Sequence, residues 1–334
     1  MRFPLAAGIA ALLVASTLTS ATAAQAATCR DVDARVNVLA TTHVVHGTLC
    51  TPEGGSGTVQ VLIPGATYNS TYWDFPDGTH SFRTAQNAAG FATFTLDRLG
   101  TGGSSRPLSV LLTSFVQADA VHQVIDGLRA GAYGPSFSRV VVGGHSLGAA
   151  IGVLVAATYP DSVDGVLVTG ITHRINTVGF ALAFANFVPA NLDPKFGLLY
   201  PVGYLTTAPG TRYASFTAPA VRIPTVQTIE ESTKDVFSPT EAADALGFGM
   251  LLPYSLQITA PVLVVVGGQD SCLCGLLATD CSSSAGLRAS EAPYYNADLE
   301  TLIVPGAGHS LNLASSVGEY HATVSSWVTR KVVG

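Results

Sequence analysis

Charge is scarce in this sequence. Only 11% of its 334 residues are Asp, Glu, Lys or Arg, with 16 basic side chains against 22 acidic ones and a net charge of −6. There is no basic stripe, so a nucleic acid or another polyanion is disfavoured as a partner. The chain also lacks a GxxxxGK[ST] phosphate loop, an HExxH pair and any internal repeat, which removes the first requirement of nucleotide-binding, zinc-protease and solenoid architectures. Nowhere does an apolar run reach the roughly 20 residues that span a bilayer, so no stable membrane insertion is expected.

The nearest approach to such a run lies at the N-terminus. Residues Met1 to Ala27 combine an early Arg2, an apolar stretch from Leu5 to Leu18 and small residues ending in Ala24-Gln25-Ala26, the pattern of a cleaved secretory signal. We therefore expect residues 1–26 to be a leader, the mature chain to begin near Ala27 and the protein to be secreted. Thr28 precedes Cys29 where a lipoprotein signal carries a small Gly, Ala or Ser, so Cys29 reads as a disulfide partner. Five cysteines in an exported chain form a disulfide set first, and an odd number leaves one thiol over. Cys29 and Cys50 flank an N-terminal hairpin and are expected to pair, while Cys281 pairs with Cys272 or Cys274. A zinc site at the three clustered cysteines lacks a fourth ligand and a nearby histidine, so no metal is expected.

What is present is apolar material, 48% of the chain, enough for one large core or a core with an inserted subdomain. Segments Ala34 to Ala40 and Thr42 to Leu49 alternate as an antiparallel pair and lead into a buried strand, Thr58 to Ile63. A helix over Phe82 to Ala89, a strand over Phe91 to Leu96, a helix over Phe115 to Arg129 and a strand over Arg139 to Val142 follow. A helix over Ala149 to Tyr159 and a strand over Gly165 to Thr169 continue the alternation, which implies a mostly parallel sheet covered by helices on both faces. Over residues 171–256 the rhythm stops. Strands resume with Val262 to Val266 and Leu299 to Val304, before a last helix from about Ser315 to Thr329. The expected organisation is one α/β catalytic domain, residues 27–170 and 257–334, with a cap inserted over 171–256.

Gly144-His145-Ser146-Leu147-Gly148 fits GxSxG between a buried strand and an Ala/Val-rich helix, the setting of a nucleophile elbow. A serine hydroxyl is a weak nucleophile, so it needs a histidine to take its proton and a carboxylate to orient that histidine. Asp270 ends the loop after the strand Val262 to Val266, with Asp280 as the next acid along. His309 follows the strand Leu299 to Val304. His145 belongs to the elbow and reads as packing, and His321, in mid-helix, reads as a surface residue.

With these residues in view the chain resembles the α/β-hydrolase superfamily. The resemblance rests on Ile63-Pro64-Gly65-Ala66, Asp97 to Ser104, Gly144 to Gly148, Gly267 to Asp270 and Gly306 to His309, and covers most of the sequence outside the insertion. It implies the α/β-hydrolase fold, the order Ser146, Asp270, His309 for nucleophile, acid and base, and an oxyanion hole from the N–H groups of Leu147 and Ala66. Members commonly carry His-Gly after the third strand, where this chain has Pro64-Gly65. Thr67 or Tyr68 offers an additional hydroxyl donor there. The Asp97 to Ser104 segment corresponds to the family's loop after the fourth strand and reads as structural. Serine at the elbow argues against the dehalogenase and epoxide-hydrolase branches, which use aspartate.

Similarity to exported esterase-like and lipase-like members favours carboxylic esters, including lactones, cleaved through an acyl-enzyme without a cofactor. The alternatives are an acyltransferase or cyclase of the same fold acting on a natural product, and a binding protein that has kept the scaffold. Phe180, Phe184, Phe187, Tyr200, Tyr204, Phe216 and Phe248 of the insertion suggest an apolar pocket for a small-molecule ester, or the packing of the cap on the core. Oligomeric state is not legible.

Overall fold

The computed structural model describes Met1 and residues 27–197, 200–218 and 223–334. Apart from Met1, the expected leader lies outside the described residues. The chain opens with a hairpin, β1 (Thr28–Val38) and β2 (Thr41–Thr51), closed by Leu39 and Ala40, both at positive φ. Two residues of that conformation make the turn a two-residue hairpin twists into, usually with Asn-Gly. Without that signal, the sequence pattern placed the turn later and began β1 six residues late, at Ala34 instead of Thr28. Cys29 and Cys50 face each other across the pair and are disulfide-bonded.

The strands that follow are buried throughout, apart from Arg139 at the start of β5: β3 (Thr58–Ile63), β4 (Ala92–Leu96), β5 (Arg139–His145) and β6 (Gly165–Thr169). A two-stranded ribbon of β7 (Phe187–Pro189) and β8 (Leu205–Thr207) intervenes before β9 (Val262–Gly267) and β10 (Leu299–Val304). The main sheet has eight strands in the order β1-β2-β4-β3-β5-β6-β9-β10. Its pairs are parallel from β4 onward and antiparallel at β1–β2 and β2–β4. Continuous Val/Ile/Leu runs fit this arrangement, because strands covered on both faces have no solvent side to alternate with. The sheet is flanked by helices, with α1 (Phe82–Ala88), α2 (Ser114–Arg129) and α3 (Leu147–Thr158) among them. The expected insertion holds α4 (Thr177–Phe184), α5 (Arg212–Phe216), α6 (Pro224–Thr233) and α7 (Pro239–Asp244), which runs on into a π-helical turn over Ala245–Leu251. After it come α8 (Ser284–Glu291) and α9 (Val317–Val328).

This topology brings the carboxyl ends of β3, β5, β9 and β10 to one edge of the sheet. Ile63 is in register with Gly144, and Gly267 with Val304, so the loops after those four strands emerge together. No helix among the described residues is long and apolar enough to cross a membrane.

One histidine departs from expectation. His321 is not on the surface: α9 turns it into the contact with α1, where its ring meets Phe82 edge-on at 5.2 Å and its Nε2 has no partner. Burial, and the neighbouring His80 that pairs with Asp77, push its pKa down from the usual histidine value to about 4. A depressed folded-state pKa means that the unfolded chain binds the extra proton first, so the stability held in a neutral His321 is complete above the ordinary histidine value of about 6.5 and is lost as pH falls toward the folded value. We predict that the melting temperature falls over that window and that His321→Leu flattens the fall. An unchanged pH slope in the variant would refute the assignment.

Candidate active site

The site begins with a turn that only glycine can flank. At the end of β5 the chain must reverse into α3 within one residue, Ser146, whose φ of 52° and ψ of −121° lie outside the regions open to ordinary residues. A Cβ on Gly144 would fall 2.2 Å from the Gly148 carbonyl oxygen, and one on Gly148 would fall 2.3 Å from the Ile63 oxygen. The two glycines of GxSxG are therefore steric necessities of strand and helix meeting so closely. The turn leaves Ser146 pointing off the sheet edge with the first N–H groups of α3, Leu147 among them, free of intrahelical partners.

His309, on the loop after β10, places Nε2 2.9 Å from Ser146 Oγ. Its Nδ1 is 2.8 Å from Asp270 Oδ2, and Asp270 is fully buried at the end of β9. The second oxygen, Oδ1, accepts from the Cys272 N–H at 2.9 Å, so the carboxylate is held on both sides. Asp280 lies exposed on the loop beyond and accepts from Ser282 N–H. His145 points inward, stacked on Tyr72 at 4.3 Å, and its pKa is driven far down by burial, then by His309 and Arg212. It is a neutral packing residue, as its place in the elbow suggests.

Ala66 and Leu147 both line a cleft above Ser146. No hydrogen bond engages the Ala66 N–H among the described residues. The additional hydroxyl donor expected from Thr67 or Tyr68 is not there. Thr67 is fully buried and its Oγ1 accepts from Arg212 Nη1 at 2.6 Å. The Tyr68 hydroxyl donates to Glu230 and meets Ser310 Oγ at 2.6 Å, so it is committed elsewhere. Arg212 stacks over the Tyr68 ring at 3.6 Å and pairs with Glu230, both wholly buried. These buried charges against the loop after β3 were missed in the sequence, because single charged residues scattered between β6 and β9 carry no spacing signal.

The cleft wall is apolar. Phe180, Ala183, Phe184 and Phe187 form one side, Ala242, Ala245, Leu246 and Met250 another, and Phe216 closes the end near His309. Of the seven aromatics singled out in the insertion, Tyr200, Tyr204 and Phe248 do not reach this cleft. Tyr204 is sealed in the core with its hydroxyl donating to the Pro107 carbonyl, and Phe248 packs on Phe115 and Tyr254.

The disulfide left open by the sequence is Cys274–Cys281, and Cys272 is the free thiol. Among the described residues Asp270, Cys272 and His309 bring one possible ligand atom each within 4.8 Å of one another. The Cys272 thiol, pushed up to about 12 by burial and by the Asp270 charge, keeps its proton, and a cation would have to break the His309–Asp270 bond. The donor set fits the Ser–His–Asp array better than a metal.

Comparison with known proteins agrees with this geometry. Residues 60–322 match the model of the alpha/beta hydrolase family. The chain belongs to that family. Its curated relatives include the 2-(acetamidomethylene)succinate hydrolase of Mesorhizobium japonicum (strain LMG 29417 / CECT 9101 / MAFF 303099), 27% identical over 273 residues, which are 80% of this chain and 87% of the relative. Among solved structures, a thermophilic esterase from Thermogutta terrifontis superposes with a TM-score of 0.58 at 18% identity, over 90% of this chain and 99% of the other. The enol-lactonase of Burkholderia xenovorans LB400 gives 0.59 at 18% identity, over 89% and 100%. At such identities these structures share the fold, an α/β-hydrolase sheet flanked by helices, and the family points to hydrolysis.

The loop after Asp270 is tied at two points, since Cys274 N–H bonds the Asp270 carbonyl and Cys274 is bridged to Cys281. We expect Cys281→Ser to lower turnover at temperatures where circular dichroism still reports a folded protein, because an unsteady acid no longer orients His309. Cys29→Ser, far from the site, should instead lower the melting temperature, a lost disulfide costing about 2–4 kcal/mol, with turnover preserved. Full activity in a folded Cys281→Ser protein would sink the first expectation.

Proposed function

We propose that this chain is a secreted serine hydrolase that cleaves carboxylic esters of apolar small molecules through an acyl-enzyme. The observation that carries the reading is the unbroken chain Asp270, His309, Ser146 opening onto a cleft with no Lys, Arg, Asp or Glu in its wall. A relative that acts on 2-(acetamidomethylene)succinate handles a dicarboxylate, which calls for cationic partners, and an uncharged wall favours a different, uncharged substrate. Export is supported by two disulfides, which persist in oxidising compartments.

In this reading the ester carbonyl sits above Ser146 with its acyl chain against Phe180, Phe184 and Leu246. Ser146 Oγ attacks as its proton passes to His309 Nε2, and Asp270 stabilises the imidazolium through Nδ1. The oxyanion meets the N–H groups of Ala66 and Leu147. Collapse expels the alcohol, which takes the proton from Nε2. Water, activated by the same nitrogen, then releases the acid.

Ser146→Ala should abolish labelling by a fluorophosphonate, and Ser146→Ala and His309→Ala should each lower ester turnover by roughly four to six orders of magnitude. Near-normal turnover in either variant would end the proposal, and product analysis with added alcohols or amines separates hydrolysis from acyl transfer. Along a series of p-nitrophenyl esters, kcat/KM should rise from acetate to hexanoate by up to about fourfold per methylene, the equivalent of ~0.8 kcal/mol. A preference for acetate would mean that the cleft does not receive the acyl chain.

A further inference from the structure

We propose that Arg98 is a positioning residue for the oxyanion site, acting through the Gly65–Ala66 peptide. The inference rests on the reading of the site given above and adds a role for the loop after β4, which the sequence suggested was merely structural.

Arg98 is 1% exposed and reaches from the end of β4 under the loop that follows β3. Its Nε donates to the Pro64 carbonyl and its Nη2 to the Gly65 carbonyl, both at 3.1 Å. Nη1 pairs with Glu241 Oε1 at 2.5 Å, and Nη2 also reaches the Val236 carbonyl at 3.3 Å. A cation that only fastened the cap to the core would need Glu241 and Val236. This one also directs two donors, Nε and Nη2, at two consecutive carbonyls of the oxyanion loop.

A peptide unit is rigid and planar, with C=O and N–H fixed in opposite directions. The Gly65 oxygen and the Ala66 N–H belong to one such unit, so fixing the oxygen fixes the donor. The same contact acts on strength as well as direction. A guanidinium on the carbonyl draws electron density toward oxygen and leaves the N–H of that unit more positive, in a buried setting where such coupling is weakly screened. Ala66 lines the cleft beside Ser146, and its N–H has no other partner among the described residues.

The surroundings are built to hold this arrangement. Glu241 Oε1 also accepts from Ser238 N–H, and Oε2 accepts from Gln117 Nε2, so the acid cannot swing away from Arg98. On the other side of the loop Thr67 stands at φ 64°, a backbone conformation β-branched residues rarely adopt. It is kept there by Arg212 on its hydroxyl and by the Asp235 N–H on its carbonyl at 2.8 Å. Gly65 itself presses on the nucleophile, since a Cβ there would lie 3.2 Å from the Ser146 Cβ.

The test compares wild type, Arg98→Lys and Glu241→Gln in ester turnover, melting temperature and inhibition by two ketones of equal chain length. An alkyl trifluoromethyl ketone adds to the serine and carries an oxyanion, whereas its methyl ketone counterpart occupies the cleft without adding. Lys keeps the charge but not the fork that spans two carbonyls. Loss of one oxyanion donor costs about 10²–10³ in kcat, and a misdirected one should cost Arg98→Lys about 10–100-fold, with KM within about twofold. The trifluoromethyl ketone should weaken by the same factor as kcat, and the methyl ketone should bind as before. Glu241→Gln should shift the same pair in the same direction by less, and this variant decides the matter if Arg98→Lys does not fold. Equal weakening of both ketones, or unchanged turnover, would overturn the proposal by reducing Arg98 to a structural tie. A wild-type protein inert to fluorophosphonate and to esters would overturn the parent reading and this one with it, an outcome separate from a failure confined to the variants.

Discussion

The site hangs on how closely β5 and α3 approach at Ser146. Because a Cβ at 144 or 148 would overlap backbone at 2.2 or 2.3 Å, the chain turns there through the smallest residues available and forces the serine to φ 52°. Such a conformation survives only where the surroundings over-determine it. Here they do: Ser146 N–H bonds the Thr169 carbonyl of β6, and Gly148 is wedged under Ile63 at the end of β3. The neighbours of the nucleophile are thus the two strands flanking β5, and the loop after one of them, β3, carries Ala66. A relaxed turn would lower the serine and separate it from His309 and Ala66 together.

A second constraint comes from the segment between β6 and β9. It does more than roof the cleft, because its buried charges end on the core loops around the serine. Glu241 meets Arg98, Asp235 accepts from Asn69 and from Gly102 N–H, and Glu230 accepts from Tyr68. Burial raises the pKa of both Glu230 and Asp235, while the hydrogen bonds they receive oppose that rise. Charges this deep are costly unless paired, and these pairings tie the segment to the loop after β3, although Glu230 Oε2 and the Arg212 Nε and Nη2 have no hydrogen-bond partner among the described residues. The cleft-lining residues Ala242, Ala245 and Leu246 follow Glu241 closely, and the cleft wall and the loop after β3 therefore share a support.

Much of this was legible from pattern alone. The fully buried strands announce themselves by composition, and β3, β6 and β10 have the bounds their apolar runs suggest. Ser146, Asp270 and His309 could be placed because each follows a strand of the same sheet, which converts position in sequence into position at one edge. The legible part ends where contacts depend on a side chain's direction. Nothing in the periodicity of α9 shows that His321 faces Phe82, and nothing in the insertion's composition separates Phe184, which lines the cleft, from Phe248, which does not. Thr67 and Tyr68 carry the right hydroxyls in the right loop, yet Arg212 and Glu230, more than a hundred residues away, turn both to other uses.

The same limit is visible in a second serine, histidine and acid arrangement. His173 places Nδ1 2.7 Å from Glu291 Oε2 and Nε2 2.8 Å from Ser255 Oγ, distances as good as those at Ser146. What differs is the direction of the protons. Ser255 is fully buried and its hydroxyl donates to the Tyr294 carbonyl at 2.7 Å, so its proton is already committed and is not offered to the imidazole. At Ser146 the hydroxyl has no other acceptor among the described residues, and its proton is available to His309. Residue types and distances alone would count two such arrays here; the hydroxyl's second partner leaves one whose serine proton is uncommitted, and it is the one that opens on the cleft.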